Sequence, residues 1–214
     1  MTDLGGYERY RLSGLWHVHT DRTDGVHSVA ELVEFAAEAG FPLLGIVEHV
    51  RRELDYDFDA LADRAQALAA EADLACAVGC EAKVLDADGR LDVAPATRER
   101  ADVVYAAYHG TAFSREEYLE SIHATLSNPH VDVWAHPWSY ARKRGFEITD
   151  AERDAVLETL REAGVYYEVN LSRPSGVVGR PALSGLPRIV GYDLHDLSNW
   201  PASRSQSADA TAGE

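Results

Sequence analysis

Seven short apolar runs, separated by helix-forming stretches, constrain this chain more than any other feature. Leu15–Val18, Leu43–Val47, Leu74–Val78, Val103–Ala107, Val131–Ala135, Val165–Val169 and Ile189–Gly191 read as strands. They are short, β-branched or aromatic, and apolar on both faces, the pattern of parallel strands buried between layers. The stretches between them carry helix start and stop signals. Ser28 with Glu31, Ser114 with Glu117 and Thr149 with Glu152 are capping boxes, in which hydroxyl and carboxylate satisfy the first free amides of a helix. Gly40 and Gly164 stop the first and last of these helices. Asp57–Ala72 is Ala-rich and periodic, while Ala96–Arg100 has room for only a turn or two. Such repeated alternation requires an α/β fold with a mostly parallel sheet. Periodicity alone leaves an open doubly wound sheet and a closed barrel equally allowed.

Composition narrows the setting. A chain of 214 residues can bury one substantial core, so residues 1–200 read as a single domain and the Ser- and Ala-rich stretch 201–214 as a disordered tail. No apolar run approaches the ~20 residues of a membrane helix. The N-terminus lacks the apolar segment of a secretory signal. The expectation is a cytoplasmic protein without membrane partners. The chain is acidic, with 36 Asp and Glu against 20 Lys and Arg and a net charge of −16, which argues against long nucleic acid as a partner. Lys83 and Lys143 are its only lysines. Cys76 and Cys80 lie in or beside an apolar run and read as buried reduced thiols rather than metal ligands.

Chemistry gathers where the strands end. The first strand closes on His17 and His19, the second on Glu48-His49, and the third on Cys80-Glu81. The later ones close on His109, His136, Glu168-Val169-Asn170 and Asp193-Leu194-His195. Six of the nine histidines fall in this set, at the edge where α/β proteins build their active sites. Neutral imidazole with carboxylate suits Zn, Mn or Fe. A His-x-His pair on a strand presents both side chains on one face, so that both can grip one ion. His123, inside a helix, and His130, at the start of a strand, read as structural.

The ordered motifs resemble those of the polymerase and histidinol phosphatase (PHP) family. The resemblance runs through His17-Val18-His19-Thr20 with Thr23-Asp24-Gly25, then Glu48-His49, Gly79-Cys80-Glu81, Tyr108-His109, Ala135-His136-Pro137 and Asp193-Leu194-His195. It implies a distorted (β/α)7 TIM-like barrel with a metal site at the C-terminal ends of the strands, holding two to three divalent ions. It also implies a ligand set: His17, His19, Glu81 and Asp193 for one ion, Glu81 with His109 and His136 for a second, and Asp24, His49 and His195 for a third. His27 competes with Asp24 for the position after the first motif. Relative to the family, Ser172–Pro187 lacks a helix and none follows His195, which leaves a flank that a second copy of the chain would cover.

The function so implied is hydrolysis of small phosphoesters, of the histidinol-phosphatase type, by a hydroxide generated at the metals. Arg173, after the sixth strand, is the expected catalytic cation for the phosphoryl group, with Arg142-Lys143-Arg144 as the alternative, and His195 is expected to serve catalysis as well as the metal. Three alternatives stand beside this reading. A PHP-type nuclease or phosphodiesterase would act on nucleotides or short oligonucleotides. An amide or imine hydrolase would need a bridging lysine from a middle strand, where this chain has Glu81, with Lys83 two residues on. A catalytically silent metal-binding protein would have no use for so full a ligand set.

Overall fold

The computed structural model describes residue 4 and residues 6–172 and 183–200. Seven parallel strands close into a barrel in chain order: β1 (Leu15–Val18), β2 (Leu43–Val50), β3 (Ala75–Lys83), β4 (Val104–Ala107), β5 (Val133–Trp134), β6 (Tyr166–Asn170) and β7 (Arg188–Leu194). Pairing of β7 with β1 completes the ring and decides between the two arrangements that periodicity allowed. Around the strands lie α1 (Val29–Glu38), α2 (Phe58–Glu71), α3 (Pro95–Arg100), α4 (Arg115–Leu126), α5 (Ser139–Arg144) and α6 (Asp150–Ala163). Ser28, Ser114 and Thr149 cap α1, α4 and α6 with complete capping boxes, and Asp57 caps α2 through the amide of Ala60. Among the described residues no helix is long and apolar enough to cross a membrane. The expected tail, residues 201–214, lies outside the described residues.

β2 and β3 run several residues beyond their apolar cores, paired in register from Leu43↔Ala75 to Val50↔Ala82. A reading that ends a strand where polar residues begin stops short here, because Glu48, His49 and Glu81 remain in the ladder. The lumen takes alternate positions, Leu43 and Val47, Ala75 and Ala77, Tyr105 and Ala107. Leu44, Ile46, Val78, Cys80 and Val104 face the helices instead. Trp16 plugs the lower lumen, donating its indole N–H to the Tyr10 carbonyl at 2.9 Å. Gly45 makes room for it, since a Cβ there would stand 2.3 Å from the indole ring. Cys76 and Cys80 are buried free thiols whose pKa burial pushes up to about 12, consistent with core residues.

After β7 the chain forms a single turn, Leu197–Asn199, and Trp200 then packs edge-on to Phe35 and Phe41 and beside Tyr192, with centroids 5.0–5.7 Å apart. An aromatic cluster thus covers the side of the barrel where the sequence lacks a final helix. α5 was not expected. Its Arg142-Lys143-Arg144 run reads in the sequence only as an alternative cation cluster for the phosphoryl group, yet left-handed residues at Trp138 (φ 66°) and Gly145 (φ 70°) bound a short helix there.

Candidate metal centre

Nine side chains converge at the upper end of the lumen, and Glu81 is their hub. One of its carboxylate oxygens lies 2.9 Å from His136 Nε2, 3.0 Å from His109 Nε2 and 3.5 Å from His17 Nε2. The other lies 2.9 Å from His49 Nδ1 and 3.8 Å from His19 Nε2. Asp193 reaches His19 at 3.6 Å and His17 at 3.9 Å. Asp24 faces His49 and His195, each at 3.3 Å, and His19 at 3.8 Å. Ligand atoms fall within 4.8 Å of one another in three groups: His17, His19 and Glu81; His49, Glu81 and His109; and His19, Asp24, His49 and His195. The groups differ from the implied partition in four details. Asp193 falls outside the His17, His19 and Glu81 group, and His136 outside the Glu81 and His109 group. His49 joins Glu81 and His109 as well as the Asp24 group, and His19 spans two groups, one ring nitrogen toward each.

Strand periodicity is not what pairs His17 with His19. Trp16 already faces the lumen, so a regular strand would turn His17 toward the helices. His17 instead adopts φ 61°, and the register of β1 with both neighbours shifts between Trp16 and Val18. This one left-handed residue brings His17 and His19 inward while Val18 packs outward. His136, with φ 29°, turns inward the same way after lumen-facing Ala135, and Asp193 has φ 47°. A left-handed conformation costs a non-glycine residue on the order of 1–3 kcal/mol, and such strain concentrates at functional sites.

Two buried carboxylates orient the cluster, and sequence reasoning assigned a role to neither. Glu168 accepts the Nδ1–H of His17 at 2.5 Å, which turns Nε2 toward Glu81 and Asp193. It also accepts the backbone N–H of His136 and the side-chain amide of Asn170. Gly191 leaves it room, for a Cβ there would stand 1.9 Å from its carboxylate. Glu48 holds the loop after β1 through the amide of Thr20 and the hydroxyls of Thr20 and Thr23. That loop delivers Asp24, and it folds so tightly that a Cβ on Gly25 would meet the His19 carbonyl at 2.3 Å. The available signal for Glu168 was its phase, a carboxylate two residues after lumen-facing Tyr166.

His27 does not compete with Asp24. Its Nε2 accepts the amide of Leu197 at 3.0 Å and sits 3.3 Å from Asp196. His123 pairs with Thr159 at 2.8 Å, and His130 is exposed, both away from the cluster. Arg173 lies outside the described residues. His195 stands at the rim, its Nδ1–H donated to the Asp193 carbonyl at 3.0 Å so that Nε2 faces Asp24.

These residues fit a set of divalent ions. His17 Nε2, both ring nitrogens of His19, His49 Nδ1 and Glu81 Oε2 are buried without a hydrogen-bond partner. Buried polar atoms are otherwise almost always paired. His49 Nδ1 and Glu81 Oε2 are 2.9 Å apart but misaligned for a hydrogen bond, as two ligands aimed at a shared third atom would be. Charge agrees with this reading. Burial opposes the ionised form of Glu81, yet His17, His109 and His136 hold its carboxyl well below the usual range. Burial would lower His17, but Glu168 and Glu81 raise its pKa well above the ordinary value. His49 is raised too, against burial, by Glu81 and Asp24, while burial lowers His19 to about 4.

Two outcomes follow. Glu168→Gln should weaken metal binding by about 10–100-fold, the usual effect of losing a group that orients a ligand, with the thermal transition retained. Unchanged affinity in equilibrium dialysis would remove Glu168 from that role. Metal uptake at pH 7 should release protons, because His17 carries one in the metal-free protein and must lose it to ligate. The release should fade as pH rises through the raised His17 value. Calorimetry in buffers of differing ionisation enthalpy reads the count, and none released at pH 7 would contradict it.

The PHP domain family model matches residues 16–172. The DNA polymerase/3′-5′ exonuclease PolX of Bacillus subtilis is 28% identical over 204 residues, which cover 87% of this chain and 35% of that protein. A probable phosphatase of Caldanaerobacter subterraneus is 29% identical over 132 residues, covering 55% of this chain and 49% of that protein. The chain thus spans about a third to a half of the length of these curated relatives. A solved structure of the citrate synthase SbnG, 13% identical with a TM-score of 0.48, covers 89% of this chain and 91% of its own; at that score the likeness carries nothing about function. With most of its length matched by the family model, and with a closed barrel carrying the motif residues at one end, the chain belongs to the PHP domain family.

Proposed function

We propose that this chain is a metal-dependent hydrolase of small phosphoesters, with phosphomonoesters as the primary substrates. The observation that carries the reading is the set of buried imidazole and carboxylate atoms left without hydrogen-bond partners around Glu81. Zn, Mn or Fe would suit these ligands, and His17, His19, Asp24, His49, Glu81, His109 and His195 would hold two to three ions, with His136, 2.9 Å from Glu81, and Asp193, 3.6 Å from His19, beside them to complete the set. When bound, such ions polarise phosphoryl oxygens and acidify water.

The chain's own residues prepare that chemistry. Glu168 fixes the tautomer of His17, and Ser139, 3.0 Å from His136 Nδ1, holds the orientation of that ring. Lumen residues Tyr105, Val133, Ala135 and Ile189 close the floor and exclude water from below. At the rim, His195 Nε2 and Asp24 form a partly exposed pair 3.3 Å apart; with only two ions bound below them, this pair would be free to take or return a proton at the leaving oxygen. A cavity of about 590 Å³ opens beside His109 and His136, a size that suits a small molecule.

A second reading is favoured by one observation, the likeness to PolX over most of the chain. On that reading the substrate is a phosphodiester of a nucleotide or short oligonucleotide, since a net charge of −16 still opposes long nucleic acid. Assay of p-nitrophenyl phosphate beside bis(p-nitrophenyl) phosphate, with Zn, Mn and Fe in turn, separates the two. Faster cleavage of the monoester is expected. A preference for the diester would favour the second reading, and cleavage of neither would leave a silent metal-binding protein.

A further inference from the structure

We propose that Lys83, Lys143 and Arg144 form an anion clamp beside His109 and His136, selecting phosphoesters whose leaving group carries a second anionic group. The proposal rests on the phosphoesterase reading and names the substrate class for that site. Its starting point is charge placement. In a chain of net charge −16, the only two lysines both lie near the cavity beside His109 and His136, Lys143 in its lining and Lys83 beside Gly110, which also lines it. Lys83 follows Glu81 in the lumen phase of β3, and its Nζ comes within 4.0 Å of where a Cβ on Gly110 would stand. Gly110 follows His109 and lines the same 590 Å³ cavity as His136, Lys143 and Arg144.

No carboxylate lines that cavity, whereas one of about 580 Å³ between α1 and α2 is lined by Asp21, Asp55 and Asp57. Elsewhere the basic residues are largely neutralised: Arg100 pairs with Asp63, Arg115 with Glu152 and Arg153 with Asp150. Among the described residues Lys83, Lys143 and Arg144 have no carboxylate within ion-pair distance, so their charge is available to a ligand.

The platform beneath the outer cations is fixed. Ser139 ties the start of α5 to His136, and Lys143 lies one turn further along the same face. Tyr140 donates to the Thr111 carbonyl at 2.9 Å and accepts the Phe113 amide at 3.0 Å, and Trp138 is buried. Lys83 stands behind the Gly110 edge of the cavity, two residues past Glu81 on β3 and beside the residue that follows His109. Lys143 and Arg144 sit at the cavity's outer wall, where a second carboxylate or phosphate on the leaving group would reach them. Arg presents a fork suited to either anion.

A matched pair of probes tests this, phenyl phosphate and 4-carboxyphenyl phosphate, with metal-loaded wild type and the K143Q/R144Q variant. Wild type should favour the carboxylated ester by on the order of tenfold in kcat/KM, mostly through KM, the scale of one charge-assisted contact. In the variant that ratio should fall toward one. Phenylphosphonate and its 4-carboxy counterpart, which are not hydrolysed, should show the same preference and its loss by titration calorimetry. Cleavage of both esters without preference, or a preference that survives in the variant, would overturn the clamp and leave the phosphoesterase. A binding preference without cleavage of either ester would overturn the phosphoesterase and leave the clamp.

Discussion

Glu81 sits at the centre of a closed lumen, 1% exposed, with five imidazoles within 3.8 Å of its two oxygens. A carboxylate removed from water costs several kcal/mol unless charge or hydrogen bonds compensate, and much of the barrel's upper half is arranged to do so. Compensation by hydrogen bonds alone is incomplete, because one of its oxygens and several imidazole nitrogens find no aligned partner. Metal ions would resolve that imbalance: each would accept several lone pairs at once and displace the proton that His17 otherwise carries. The strain at His17, His136 and Asp193 has the same origin, since all three take left-handed backbone conformations to aim at this point.

Much of this was legible in the sequence, and for definite reasons. Capping boxes at Ser28, Ser114 and Thr149 mark helix starts by local chemistry that tertiary structure did not override. Alternating strands and helices required a parallel sheet, and the strand-end histidines pointed to one edge of it. Closure of the sheet was not legible from periodicity, because it depends on β7 meeting β1 across the whole chain. Nor was the inward turn at His17, which breaks the alternation that any pattern-based reading assumes. Glu48 and Glu168 were visible as residues but silent as roles, for their work is done through hydrogen bonds to loops and rings far away in sequence. α5 was missed because its six residues are too few for a periodic signal and its ends are set by backbone conformation.

The centre is also asymmetric. On the side of Asp24 the rim is acidic and half exposed, while on the side of His109 and His136 it is lined by cations and lacks carboxylates. A substrate that carries negative charge would enter with its orientation already set by this gradient.

The role of the lumen cluster as a metal centre is tested most directly by metal content. The protein, loaded in turn with Zn, Mn and Fe and freed of excess ion, should retain two to three ions per chain by elemental analysis. A variant with His17 and His19 both replaced by Ala should retain fewer while keeping a cooperative thermal transition. Fewer than two ions per chain with every metal, in a folded wild-type protein, would contradict the account.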